Sequence, residues 1–185
     1  MLEMADWMRR AWERLRAEQG LPSDARAVVV SIPRQELALL EGSRVLARYP
    51  VSTSRFGVGC EQDSGRTPTG AHRVAARIGE GAEPGAVFKG RVPTGEVVLP
   101  VATSELEAPD FITSRILWLE GLEAGRNCGA GVDTRERYIY IHGTAHEGFI
   151  GQPASHGCVR MRNDDVIALF DQVPEGTLVY LSDMA

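Results

Sequence analysis

From Ala27 onward the chain breaks into short apolar runs, and this punctuation constrains its fold more than any other feature. Ala27–Ile32 (AVVVSI), Glu36–Leu40 and Arg44–Ser52 are rich in Val, Leu and Tyr and are separated by Pro33 and by Glu41-Gly42. Runs this short, bounded by turn residues, read as strands, and the last two read as a hairpin. Ala71–Ile78, Ile116–Leu119, Tyr138–His142 and Thr177–Leu181 repeat the pattern. Residues 53–70 are rich in Gly, Ser and Thr and read as loop. Residues 79–96 also read as loop, because Gly79, Gly81, Pro84, Gly85, Gly90, Pro93 and Gly95 interrupt them.

Two segments have helical spacing instead. Met4, Trp7, Met8, Ala11, Trp12 and Leu15 recur at three- and four-residue intervals, ending near Gly20 with Pro22 behind it. The charged face of this helix is mixed in sign, so it is expected to dock on the core rather than on a membrane. Asn163–Gln172 places Val166, Ile167, Leu169 and Phe170 together, with Asp164 and Asp165 in the first turn, where the helix dipole favours them. The expected fold is mainly β with one or two helices. Residues 1–25 form an N-terminal helix and linker, and residues 26–185 form the main domain.

Composition excludes several function classes. A net charge of −5 disfavours nucleic acid or anionic lipid as the main partner. No run of eighteen apolar residues exists to span a membrane. Residues 1–19 lack the apolar stretch of an export signal, so a cytoplasmic protein is expected if Met1 is the native start, and a periplasmic one if a longer native N-terminus precedes it. Cys60, Cys128 and Cys158 are too few and too widely spaced for a disulfide framework. Cys60 and Cys128 lie in loop-like segments and are read as inert.

The reactive residues concentrate in 142–163, HGTAHEGFIGQPASHGCVRMRN. Cysteine and histidine together support acyl transfer, the histidine taking the thiol proton to leave a thiolate–imidazolium pair. His142 ends a β-type run, and a strand end positions a base firmly. In Ser155-His156-Gly157-Cys158, the successive backbone N–H groups of a small, flexible segment are candidates to hold a tetrahedral oxyanion. If the following residues are extended, Arg160 shares a face with Cys158 and can clamp a substrate carboxylate. Ser155 and Tyr140 are further candidates for substrate contact. A metal held by His142, His146, His156 and Cys158 is disfavoured, because the 142/146 spacing needs a helix where the run reads as a strand. No cofactor is expected. His72 and His146 are expected to be exposed. The glycine-rich span 79–130 is the candidate for a lid.

At these residues the chain resembles the L,D-transpeptidase (YkuD-type) catalytic domain, whose signature is a histidine followed, about fifteen residues later, by Ser/Thr-His-Gly-Cys. Here it reads His142 … Ser155-His156-Gly157-Cys158-Val159-Arg160-Met161. The resemblance extends to Val28–Ser54, Thr67-Pro68-Thr69-Gly70 and Asn163–Leu181, covering roughly residues 27–182. It implies a β-sandwich-like, mostly antiparallel catalytic domain. It also implies Cys158 as nucleophile, His142 as base, the Gly143 carbonyl as orienter of the imidazole, His156 as a shaping residue, and the amides of Gly157 and Cys158 as oxyanion hole. The implied substrates are peptidoglycan stem peptides or muropeptides, with carbapenem-type β-lactams as covalent inhibitors. Attack on the bond between the L-centre of the diamino acid and D-alanine gives a thioester. Water as acceptor makes the enzyme an L,D-carboxypeptidase of muropeptide recycling, the expected outcome for a cytoplasmic chain. An amine acceptor makes it a cross-linking or D-amino-acid-exchanging transpeptidase. An inactive wall-peptide-binding module is the non-enzymatic alternative.

Overall fold

The computed structural model describes residues 3–102 and 110–185. Helix α1 (Asp6–Gln19) buries the stripe formed by Trp7, Met8, Ala11, Trp12 and Leu15. It stops at Gly20, whose left-handed φ of 66° a glycine adopts without strain. The stripe packs with Ala27 and Val29 of β1 (Arg26–Ser31), Ala38 and Leu40 of β2 (Glu36–Glu41) and Tyr180, forming a second, smaller core. The two tryptophans are therefore consumed by packing. Among the described residues no helix is long and apolar enough to cross a membrane.

The remaining elements are β3 (Arg44–Pro50), β4 (Gly70–Ile78), β5 (Ala86–Lys89), β6 (Val92–Val97), β7 (Ile112–Gly121), β8 (Tyr140–Thr144), β9 (Val159–Met161), α2 (Asn163–Phe170) and β10 (Leu178–Ser182). The strands hydrogen-bond in the order β3-β2-β1-β10-β4-β7-β5-β6, while β8 pairs with β7 and β9 pairs with β8. Pairing is antiparallel except for β1 with β10 and β8 with β9. Inward residues of β1 and β2 (Val28, Val30, Leu37, Leu39) share one core with Leu117, Leu119, Ile141, Val159 and Met161, and α2 closes it with Val166, Leu169 and Phe170. The result is the mainly β, sandwich-like architecture expected, with two α-helices.

Residues 79–96 depart from the expected loop. They contain the β5–β6 hairpin, turned at Gly90 and Arg91, which both have positive φ (55° and 68°). That turn geometry matches the twist of paired strands. The sequence hides the hairpin because every residue of β6 is exposed, so burial imposes no apolar alternation on it. Strand β7 starts earlier than the expected Ile116–Leu119. Its pairing with β8 shifts between Thr113 and Ile116, where Ser114 adopts a φ of 64°, and this bulge breaks the period-two pattern.

Candidate active site

Alternation along two adjacent parallel strands builds the site. Ile141 pairs with Val159 and His142 with Arg160, so odd-numbered residues Ile139, Ile141, Val159 and Met161 enter the main core. Even-numbered Tyr140, His142, Cys158 and Arg160 are left on the opposite face. On the far side of β9, Ser52 exchanges backbone hydrogen bonds with Arg160 (2.9 and 2.8 Å). Thr53 O accepts from the amides of Ala154 and Ser155 (both 2.9 Å). Thr67 Oγ1 donates to Gly157 O (3.0 Å) and accepts from Ser54 N (3.0 Å). The distant Val51–Ser54 and Thr67–Gly70 segments thus converge on the cysteine loop.

The Cys158 thiol is half-buried. Its sulfur accepts from Tyr140 N (3.3 Å) and lies 3.5 Å from Tyr138 O, to which it donates. Burial pushes the thiol up to about 11, partly opposed by the Tyr140 amide and by Arg160. His142 is buried, and its Nδ1 donates to Gly143 O at 2.6 Å. A ring with Nδ1 protonated and neutral leaves Nε2 as an acceptor, ready to take a proton. Burial lowers this ring to about 4, with Gly143 O pulling the other way. Burial thus disfavours the charged form of each group, the thiolate and the imidazolium alike.

Gly143 has no room for a side chain. A Cβ there would approach Thr113 O to 2.6 Å, Asn163 Oδ1 to 2.9 Å and Thr113 Oγ1 to 3.0 Å. That space belongs to a buried network. Asn163 Oδ1 accepts from Thr113 Oγ1 (2.6 Å) and Ser114 Oγ (2.5 Å), and its Nδ2 donates to Thr144 O (3.0 Å) and Glu147 Oε1 (2.9 Å). The network fixes the Thr144 carbonyl beside Gly143, next to the carbonyl that holds His142 Nδ1.

Several expectations are corrected. Arg160 does share the face of Cys158, but it is 3% exposed, pairs with Asp110 Oδ2 at 2.7 Å and donates to Ala154 O at 3.1 Å. A buried guanidinium needs such partners, and a matched one is no open carboxylate clamp. Ser155 is buried too. Its hydroxyl donates to Cys158 O (2.6 Å) and accepts from Gly157 N (3.2 Å), so it ties the loop together. The same bond commits the Gly157 amide, expected in the oxyanion hole; the Cys158 amide donates to no described residue. His156 is exposed, with Nε2 accepting from Arg55 Nη2 at 2.7 Å. His72 and His146 are buried rather than exposed. His72 is held between Gly70 O (2.9 Å) and Thr134 Oγ1 (3.0 Å) on the far end of β4, and burial lowers it to about 4.

Tyr140 lines the site, but its hydroxyl is taken: Arg91 Nη1, from the β5–β6 turn, donates to it at 2.9 Å. The hairpin therefore reaches over the face that carries the thiol, and Phe88, Ile116 and Tyr140 pack together with Cys158 against them. Of the span 79–130 proposed as a lid, residues 103–109 lie outside the described residues; among the described ones, the hairpin packs against the Cys158 face. Beneath it a cavity of about 450 Å³ is walled by Val87, Phe88, Thr94 and Ile112 and reaches Asp110, the partner of Arg160. Asp110 and Arg91 escaped the sequence reading. The one available signal for Asp110 was that an inward-facing Arg160 requires an acid partner.

Comparison with known proteins identifies the family. Residues 25–181 match the model of the L,D-transpeptidase catalytic domain family. A 50-residue stretch is 46% identical to the putative L,D-transpeptidase YqjB of Bacillus subtilis, covering 27% of this chain and 28% of that protein. Among solved structures, L,D-transpeptidase 3 of Mycobacterium tuberculosis with a faropenem-derived adduct superposes with a TM-score of 0.53 at 16% identity, over 85% of this chain and 60% of that one. The L,D-transpeptidase LdtMt1 in complex with imipenem gives 0.51 at 18% identity, over 86% and 59%. The structural likeness is one of fold. The chain matches less than a third of the curated relative's length.

Proposed function

The chain belongs to the L,D-transpeptidase catalytic domain family, and on that premise we propose that it is a cysteine acyl-transfer enzyme acting on peptidoglycan tetrapeptide stems. The observation that carries the reading is the 2.6 Å bond from His142 Nδ1 to Gly143 O, on the same sheet face as Cys158. It fixes the tautomer whose Nε2 accepts a proton. As substrate binds, His142 takes the thiol proton and the sulfur attacks the carbonyl on the L-centre of the diamino acid. The oxyanion forms against the Cys158 amide. The C–N bond then breaks, His142 returns the proton to the amine of the departing D-alanine, and a thioester remains.

The proposal takes water as the acceptor, making the outcome L,D-carboxypeptidase activity on muropeptides. Water requires only the donor subsite, whereas an amine acceptor requires a second peptide groove. His142 deprotonates the water, which attacks the thioester, and the thiol leaves with the proton. A β-lactam such as imipenem acylates Cys158 by the same first step.

The test is incubation with a diaminopimelate-containing tetrapeptide, read by mass spectrometry. Loss of one alanine without dimer is expected. Cross-linked dimers or D-amino-acid exchange without tripeptide overturn the choice of water, and no product of either kind overturns the enzymatic reading. Cys158→Ala abolishes turnover and the imipenem adduct seen by intact mass. A variant that kept turnover would remove Cys158 from its role.

A further inference from the structure

Several arginines lie around the thiol and its loop, and two of them are committed to fixed partners. Arg160 is matched by Asp110. Arg137 donates to Gly59 O (3.2 Å), Ser64 Oγ (3.4 Å) and Arg66 O (2.6 Å), tying down the loop beneath Cys158. Arg55 faces His156 and lies over Phe56 at 4.9 Å, on the exposed rim. Arg66 gives its carbonyl to Arg137.

Among these, Arg91 is the one that holds the side chains of both Tyr138 and Tyr140. Among the described residues its one hydrogen-bond partner is the neutral phenol of Tyr140, and it forms no ion pair. Its guanidinium lies 4.5 Å from the Trp118 ring centroid and 5.2 Å from that of Tyr138. Stacking of this kind orients the plane and leaves N–H edges open for a planar, doubly accepting partner. The platform is wired to the nucleophile, since Tyr138 supplies the carbonyl and Tyr140 the amide that contact the Cys158 sulfur. Arg91 also occupies a left-handed position, φ 68°, at the tip of a two-residue turn that glycine or asparagine would fill with less strain. A strained long cation, aimed inward from an exposed hairpin in a chain of net charge −5, points to an anionic ligand.

We infer that Arg91, held by Trp118, Tyr138 and Tyr140, is a subsite for a free carboxylate of the substrate peptide. The inference rests on the function proposed above. Two carboxylates of a stem lie near the scissile bond: the C-terminal one of the departing residue and the side-chain one of the diamino acid. The chemistry at Arg91 is the same for either.

The test uses three tetrapeptides: one with both carboxylates free, one amidated at the C-terminus and one amidated on the diamino-acid side chain. Arg91→Asn is the variant of choice, because asparagine suits a left-handed turn position and preserves the hairpin. For wild type, kcat/KM is expected to fall about tenfold or more on one of the two amidated peptides, which identifies the carboxylate read. For Arg91→Asn, KM on the free peptide is expected to rise about tenfold or more with kcat within about threefold, and the discrimination between free and amidated peptide to collapse toward unity. Arg91→Lys, keeping the charge without the fork, is expected between the two. An unchanged discrimination ratio in Arg91→Asn overturns the subsite, as does a fall in kcat at unchanged KM on all three peptides, which would make Arg91 a latch for the hairpin. Wild type that releases no residue from any peptide overturns the proposed function and the subsite together, so the two failures are distinct.

Discussion

His142-Gly143 lies on strand β8, whereas His156-Gly157 lies in the loop that leads into β9. The dipeptide is the same and the environments are opposite. His142 is buried, its Nδ1 is held by the next residue's carbonyl, and its Nε2 is left as an acceptor. His156 is exposed, and its Nε2 already accepts from Arg55. Gly143 has ordinary strand backbone but no room beside its Cα, whereas Gly157 sits at φ 128°, a conformation that suits glycine. On the proposed mechanism, nearness to the cysteine in sequence does not make a base; a strand position that buries the ring and commits one nitrogen does.

The largest test of this contrast is a paired substitution. His142→Gln is expected to lower kcat/KM by about 10²–10⁴-fold, the range for loss of a general base, while His156→Gln stays within about threefold of wild type. Steady-state release of the terminal residue measures both. Equal losses would break the comparison and make the two histidines partners in proton transfer.

Acid stability sharpens the contrast next. The folded His142 ring holds its proton only below about 4, and so does buried His72, whereas in the unfolded chain both titrate near the ordinary 6.5. As pH falls through 6.5 the unfolded chain binds these protons first, so the stability these two rings contribute is expected to decline from about pH 6.5 to about pH 4 and to change no further below. The loss is roughly 3 kcal/mol per histidine, read by urea unfolding at stepped pH. His142→Gln removes one share of that decline. His156→Gln, at an exposed position, leaves most of it in place. A stability curve flat across this window would mean that neither ring is buried neutral.

What the sequence revealed follows the same physics. Helix α1 was legible because Trp7, Met8, Ala11, Trp12 and Leu15 serve one buried face, and β1 and β2 because their apolar runs are buried. The β5–β6 hairpin was not legible, since an exposed strand held only by its neighbour needs no apolar pattern. Cys158 and His142 were legible through a dense local motif. The ion pair that consumes Arg160 was not, because Asp110 is fifty residues away in sequence and is brought near only by the fold. Thr113, Ser114 and Asn163 escaped for a similar reason. Each is an ordinary polar residue until strand pairing sets Thr113 opposite Gly143.

The two glycines give the finest test. An alanine Cβ at Gly143 would meet fixed polar atoms of Thr113 and Asn163, and one at Gly157 would meet Ile139 Cδ1 at 3.0 Å and Arg66 O at 3.3 Å while forcing a strained φ. Each substitution is expected to destabilise by about 1–3 kcal/mol, visible as a lowered melting temperature. The chemical consequences should separate. Gly143→Ala displaces the carbonyl that holds His142 Nδ1, so alkylation of Cys158 by iodoacetamide at neutral pH should slow along with kcat. Gly157→Ala re-aims the Cys158 amide without touching the base, so kcat should fall while alkylation holds its rate. If both variants slow alkylation alike, the backbone at Gly157 supports the thiol as directly as Gly143 supports the base, and the two His-Gly pairs would be working as one unit.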